Sequence, residues 1–479
     1  MDTRHTPEGY LQSGHTVLPG ADSEAFTTLR RRPSTRAERI EMGRALREKV
    51  SRSSLGDWEP PRGRPDPITL VMESHDGRLD WLIPVRVGRM VKSPYGFLRG
   101  TAIVMAADLA QLPSTGITPV TCGDSHLGNF GFYASPERDL VIDLNDFDEA
   151  HPGSWEWDLR RLVASIWVAG RQNGATEEEC ETAVLCCSAN YRAQVAMLAE
   201  LPLLERTFVR LGAEKLKNAA NEQTLAEEIE RASKRARQRT SDRALPRFTE
   251  ERDEQLRIVE EPPLITRLHD REAEQVAEGL DHYLSTLAPH WRRVLGGYTL
   301  LDAAHKVVGV GSVGLRAYVA LLEGAGPDDV IFLQLKQARR SVLAKYVHGE
   351  NAWHAHQGQR VVEYQKALQT VSDPLLGWTN VGRRQFYVRQ FRNMKGTVAL
   401  DNIDAAALTD YAGVVGQLLA KGHARTSGAS MISAYAGDSD ALDVAMAAFG
   451  RAYADQTEAD HEAMVRAVAR GVLPVEHGL

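Results

Sequence analysis

The sequence predicts an α+β fold, with helix-rich segments flanking a strand-rich one. Three observations carry this reading. Residues 155–290 are mostly helical in pattern, with apolar positions at three- and four-residue spacing around Leu159, Leu162, Val163 and Ile166. From about Gly297 the texture changes to strands, and after Asp401 it returns to helix through Tyr411–Lys421 and Asp440–Tyr453. This order, helix then strand then helix, is not the regular βα alternation of a parallel sheet.

Each segment has its own signals. Residues 1–65 read as a partly irregular N-terminal extension rich in Arg, Pro and Ser, with one helical stretch near Arg36–Val50. Thr101–Leu112 has a helical pattern that Pro113, Gly116 and Pro119 end. Leu140–Leu144 is a strand bounded by polar turn residues. His305–Leu322 alternates around a glycine cluster, Val330–Leu335 is a strand, and Leu376–Val381 and Gln385–Phe391 are two more. The basic segment through Arg231, Lys234, Arg235, Arg237, Arg239 and Arg243 reads as a solvated helix face.

Composition bounds the function. The chain has 479 residues, 57 basic against 64 acidic, and a net charge of −7, which gives no electrostatic reason to expect nucleic-acid binding. Its four cysteines, Cys122, Cys180, Cys186 and Cys187, form no CxxC pair, so neither a disulfide scaffold nor a zinc site is expected. No apolar run approaches the ~20 residues of a membrane span, and no secretory pattern opens the chain. A cytoplasmic protein without a membrane partner is the expectation.

Two clusters carry chemistry. The first is Cys122-Gly-Asp-Ser-His-Leu-Gly-Asn129, followed by Leu140-Val-Ile-Asp-Leu-Asn-Asp-Phe-Asp148. Mg²⁺ takes oxygen ligands, commonly one or two carboxylates plus phosphate oxygens. The Asp124-to-Asn129 spacing is similar to the catalytic loop of protein kinases, H-R-D-x-x-x-x-N. It also resembles the H-G-D-x-H-x-x-N loop of aminoglycoside and choline phosphotransferases, with Cys122 in place of the first His. The resemblance implies that Asp124 orients or deprotonates an acceptor and that Asn129 holds Mg²⁺. Asp146 and Asp143 compete for the second metal position; Asp146 fits an Asp-Phe dipeptide, and Asp143 sits at a strand end. Asp158 resembles the buried Asp that opens the helix behind this loop and holds its backbone. Gly123-Asp-Ser-His126 also echoes a metallophosphoesterase element, but the further His and Asp motifs of that fold are missing.

The second cluster is Gly309-Val-Gly-Ser-Val-Gly314, then a strand ending at Lys336. A dinucleotide fold needs an acid where Lys336 stands. A glycine-rich hairpin followed by such a Lys resembles instead the ATP-covering loop and phosphate-pairing Lys of a kinase small lobe. Gly309, Gly311, Ser312 and Gly314 would then approach the phosphates. Glu363, 27 residues beyond Lys336, would fix that Lys, with Glu350 as the weaker candidate. The strand containing Gln390 would lead to a hinge that reads the adenine.

The order is inverted: the glycine loop follows the catalytic loop by roughly 190 residues. Chain termini often lie close together, so a circularly permuted chain can build the same site. The resemblance therefore implies a two-lobed, permuted protein-kinase-like fold. Residues 66–295 would form a large-lobe segment, 296–400 the antiparallel small lobe, and 401–479 the helices completing the large lobe. The helix Tyr411–Lys421, ending in Gly-His423-Ala-Arg425, resembles the one that leads into the catalytic loop. The landmarks Arg86-x-x-Arg89-Met90, Phe97-x-Arg99-Gly100, Cys122-Gly-Asp-x-His-x-x-Asn-Phe-Gly131, Asn145-Asp-Phe-Asp-Glu149 and Leu333-Gln-x-Lys336 are further identified as those of an uncharacterised bacterial family filed as a domain of unknown function.

The implied activity is ATP- and Mg²⁺-dependent phosphoryl transfer to a small molecule or a protein. AMP transfer by the same fold, a non-catalytic ATP-binding scaffold and a dinucleotide enzyme are the alternatives. Arg86, Arg89 and Arg99 fit either an anionic substrate or a structural arginine network.

Overall fold

The computed structural model describes residues 34–476, apart from short stretches at 214–215, 218–221, 253–254, 308–312, 348–353 and 427. It is 54% helix and 15% strand, and every strand pair is antiparallel, so the chain is α+β.

The helical part is built on Trp155–Gln172, whose side chains are buried continuously from Trp155 to Gly170. Its buried charged residues Glu156, Asp158, Arg160 and Arg161 are each hydrogen-bonded to another segment of the chain. The 24-residue helix Glu177–Glu200 packs beside it and starts at a capping box between Thr176 and Glu179, with three acids in its first turn. Ala405–Arg425, capped by Asp404, lies along Glu177–Glu200, and Ala441–Ala469 lies along Trp155–Gln172. These helices share one large hydrophobic core. Among the described residues no helix is long and apolar enough to cross a membrane.

Two small sheets frame the loops between helices. In the first, β1 (Val120–Thr121) pairs with β4 (His151–Pro152). In the second, β2 (Phe130–Ala134) pairs with β3 (Leu140–Leu144), which also pairs with β5 (Leu211–Gly212). A hairpin of β6 (Thr249–Arg252) and β7 (Gln255–Ile258) follows.

The main sheet has six strands: β8 (Ile265–Arg267), β9 (Thr299–Lys306), β10 (Ala317–Glu323), β11 (Val330–Gln337), β12 (Gly377–Val381) and β13 (Arg384–Gln390). Their order across the sheet is β12-β13-β11-β10-β9-β8. Alternation along β10 divides its side chains between two cores. Tyr318, Ala320 and Leu322 face the helix Asp270–Thr286, whereas Val319 and Leu321 face Ala244 and Ile258. Both faces are covered, so β10 reads as a nearly continuous apolar run.

The 155–290 stretch is mostly helical, as its periodicity predicts, with the short strands β5 to β8 between its helices. One boundary needs correction, since the sheet begins before residue 296: β8 pairs with β9, and the helix Asp270–Thr286 packs against β12. Charged residues crowd β6 to β8, so no apolar periodicity marks these short strands.

Candidate active site

The loop Cys122–Asn129 joins β1 to β2, and its shape is imposed from behind by the Trp155–Gln172 helix. The Cys122 and Gly123 N–H groups donate to the two Asp158 carboxylate oxygens at 2.6 and 2.9 Å. Ser125 Oγ donates to the Asp158 carbonyl at 2.7 Å, and Leu127 N–H to Ser165 Oγ at 2.8 Å. Asp158 is in turn 3.2 Å from His423 Nε2, whose Nδ1 lies 2.8 Å from the Tyr191 hydroxyl. Gly123 has φ +77°, and a Cβ there would sit 2.2 Å from the Glu149 carbonyl oxygen, so only glycine fits.

This scaffold presents Asp124. Its Oδ1 accepts from Arg161 Nε at 2.5 Å, while Arg161 Nη2 donates to the Leu98 carbonyl at 2.8 Å. Burial pushes the Asp124 carboxyl up to about 7; Arg161 opposes that rise, and Glu149 and Asp146 add to it. A carboxyl poised near neutrality, with 23% of its side chain exposed, has the properties of a general base. Asn129 joins the two halves of the first cluster. Its Nδ2 donates to the carbonyls of Asp124 and Asp146, both at 3.0 Å, and its Oδ1 accepts from the Asp146 N–H at 2.7 Å.

Strand β11 brings the second cluster to this loop. Lys336 occupies the same side of β11 as Phe332 and Gln334, near the strand's end. Its Nζ lies 3.4 Å from Asp146 Oδ1 and 2.9 Å from Asp148 Oδ2. It also sits over the Tyr387 ring, 5.3 Å from the centroid, with Arg389 5.6 Å from the same ring. Burial works against the Lys336 charge, but Asp146 and Asp148 outweigh it and hold the ammonium above its ordinary range. Asp146 is the more open of the two carboxylates, with 49% of its side chain exposed against 23% for Asp148.

Other expected site residues are placed elsewhere. Asp143 is buried and ion-paired with Lys421 of the Ala405–Arg425 helix, and it also accepts from its neighbour's N–H at Leu144. It is therefore turned into the core, and Asp146 alone of the two faces Lys336. Glu363 is not brought to Lys336: its carboxylate lies 2.6 Å from His354 Nε2 and accepts from Gln359 Nε2 at 2.8 Å. The carboxylates that Lys336 meets come instead from the Asp146–Asp148 turn. Both the backbone N–H and the side-chain amide of Gln390 donate to Asp373 at 2.7 Å, so this N–H is already engaged. Gly309, Gly311, Ser312 and Glu350 lie outside the described residues. Gly314 is described, with φ +89°.

Among the described residues, no group of three or more His, Cys, Asp or Glu side chains is arranged to hold a metal unaided. Asp146, half-exposed beside Asn129 and Lys336, fits the one-or-two-carboxylate arrangement in which phosphate oxygens complete the Mg²⁺ shell.

Sequence reasoning missed Arg161 and the partner role of Asp148. Arg161 was discoverable, since it lies three residues beyond Asp158 and so on the same helix face. Asp148 carried no signal beyond local acid density. Tyr387 and Arg389 lie on a strand whose pairing with β11 no spacing reveals.

Comparison with known proteins gives one family. The family described as uncharacterized protein conserved in bacteria (DUF2252) matches residues 78–467, and the chain belongs to it. No curated protein and no solved structure matches the chain.

Proposed function

We propose that this chain is an ATP- and Mg²⁺-dependent phosphotransferase with a protein-kinase-like site assembled in permuted chain order. The observation that carries the reading is the meeting of Lys336 with Asp146, 190 residues apart, directly beside the Asp124–Asn129 loop. A basic strand residue against an acid on the next turn is the arrangement that places nucleotide phosphates and a divalent cation together. The end of the Ala405–Arg425 helix supports the permuted order. Thr426 Oγ1, just past that helix, accepts from the Val120 N–H of β1 at 3.1 Å, next to the loop itself.

Bound Mg-ATP would supply the phosphoryl group to be transferred. Lys336 would orient and neutralise the phosphates, and Asp146 would hold the cation, with Asn129 joining it only through the second lone pair of an Oδ1 that already accepts from the Asp146 N–H. Asp124 would accept the proton of the acceptor hydroxyl, and its raised pKa makes that transfer feasible near neutral pH. Arg161 is a positioning residue that aims Asp124.

The test is ATP consumption by the purified chain. Asp124→Ala should lower turnover about 10²–10⁴-fold, the usual worth of a positioned acid or base. Unchanged turnover in that variant would overturn the assignment. Mass analysis of the modified acceptor separates phosphoryl from AMP transfer. A second reading, a nucleotide-binding protein without turnover, draws on the engagement of Glu363 by His354 rather than Lys336. It predicts nucleotide binding with no product.

A further inference from the structure

Four basic side chains gather on the side of the cleft where Gly314 lies, and the phosphotransferase reading leaves them unused. Arg78 Nε donates to the Ser74 carbonyl at 2.8 Å, and Arg339 Nη1 reaches the same carbonyl at 3.3 Å. Arg86 lies at the floor, 1% exposed, with a single hydrogen bond from Nη2 to the Gly100 carbonyl at 2.6 Å. Its buried Nε and Nη1 meet no hydrogen-bond partner among the described residues, and neither does the buried Nε2 of His75. Among the described residues no carboxylate reaches ion-pair distance of Arg78, Arg86 or Arg339. The acids that act on Arg78 from farther off have partners of their own: Glu149 accepts from the Val342 N–H at 2.7 Å, and Asp148 lies 2.9 Å from Lys336 Nζ.

Arg86 is fully buried, with the partly buried Arg78 and Arg339 beside it. Glu149 and Asp148 act on Arg78 from beyond ion-pair distance, but among the described residues no acid offsets Arg86, which is costly because it loses hydration and is repelled by the other two. The crowding shows in the protonation of Arg86 and His75. Burial, then Arg78 and Arg339, pull the Arg86 guanidinium well below its ordinary range. Burial, then Arg86 and Arg78, push His75 down to about 4, so it is neutral at pH 7. An arrangement of this kind becomes favourable when an anion occupies it.

We infer that His75, Arg78, Arg86 and Arg339 form a binding site for a phosphate group, beside Gly314 and the turn that carries Asp148. A phosphate offers enough oxygens to meet several guanidinium forks at once, whereas a carboxylate offers two. The position is fixed by contacts on both sides. A Cβ on Gly314 would meet the Arg78 Cβ at 3.0 Å, and Leu79 N–H donates to the Gly314 carbonyl at 2.8 Å. Arg360 Nη2 donates to the carbonyls of Asp148 and Arg339, both at 2.8 Å, locking the arginine cluster to the acidic turn. His75, Arg78 and Arg339 are only partly buried, so the site has a mouth with Arg86 behind it. Two sources share this chemistry: the phosphate of an already phosphorylated acceptor, and the terminal phosphate of a nucleotide.

The test is calorimetric titration of the full chain with inorganic phosphate, at constant ionic strength set by chloride. Saturable binding is expected, weakened about tenfold or more in Arg86→Gln and in Arg339→Gln, the loss expected of one charge-assisted hydrogen bond. Arg339→Gln carries the test if Arg86→Gln does not fold. Absence of binding to the wild type, or unchanged binding in Arg339→Gln, overturns the site. Repeating the titration on chain saturated with a non-hydrolysable ATP analogue and Mg²⁺ separates the sources: retained phosphate binding assigns an acceptor phosphate, and lost binding assigns the nucleotide's. The site does not rest on phosphoryl transfer, because phosphate binding is read without turnover.

Discussion

The Asp158 carboxylate and His423 Nε2 lie 3.2 Å apart, joining the helix behind the Cys122–Asn129 loop to a helix that begins almost 250 residues later. The same carboxylate accepts from two loop N–H groups. One side chain thus sets the loop's shape and anchors the C-terminal helices to it.

Replacing Asp158 should therefore loosen both connections. Asp158→Ala is expected to cost about 3–5 kcal/mol, the usual consequence of stripping a buried charged partner. Denaturant midpoints measure it, and a loss under about 1 kcal/mol would show that the loop holds its shape without this acid.

Asp124 predicts a pH dependence with a definite sign. Its carboxyl titrates near 4 in the unfolded chain and at about 7 in the folded one. Between these values the folded state keeps a proton that the unfolded state has released. Stability relative to Asp124→Asn should thus fall as pH rises from about 4, with the full penalty present above about 7. Thermal melts of both proteins at pH 4.5 and pH 8 check this. If Asp124 is the base, kcat/KM should rise with pH and level off above about 7.

Lys336→Met keeps much of the side chain's length but removes its charge. Nucleotide affinity should weaken about 10- to 100-fold, the worth of a hydrogen bond to a charged group, while the circular dichroism spectrum stays that of the wild type. Equal affinity in the variant would remove Lys336 from the nucleotide site.

Asp143 and Lys421 form a buried pair whose role is structural. Either single change, Asp143→Leu or Lys421→Met, should destabilise by about 3–5 kcal/mol, because the remaining charge is stranded. The double variant should recover most of that loss, and a double-mutant cycle on unfolding free energies reads the coupling. A purely additive result would refute the pairing.

Much of the site was legible because its residues are close in sequence. The 122–129 loop and the 140–148 segment each carry several chemical groups within a few positions, and turn-forming residues mark the first as a loop and the second as a strand that ends in a turn. Lys336 was legible for a different reason, as the Lys that ends an apolar strand after a glycine-rich cluster. Glu363 misled because helix position predicts a face but not a partner. On the folded helix Gln357–Leu368, Arg360 is the residue that reaches the acidic turn, through the carbonyls of Ala150 and Asp148, and Glu363 turns to His354.

Sequence by itself determined the α+β class, the long helices and the apolar strands, since periodicity and capping are local properties of the chain. It also determined which loops carry acids. Only tertiary structure decided which of those acids meet Lys336, that Asp143 belongs to the core, and that His75, Arg78, Arg86 and Arg339 converge. Each of these depends on contacts between segments as much as 278 residues apart. Such contacts are selected by packing and by the cost of burying unpaired charge, neither of which leaves a repeating pattern in the chain.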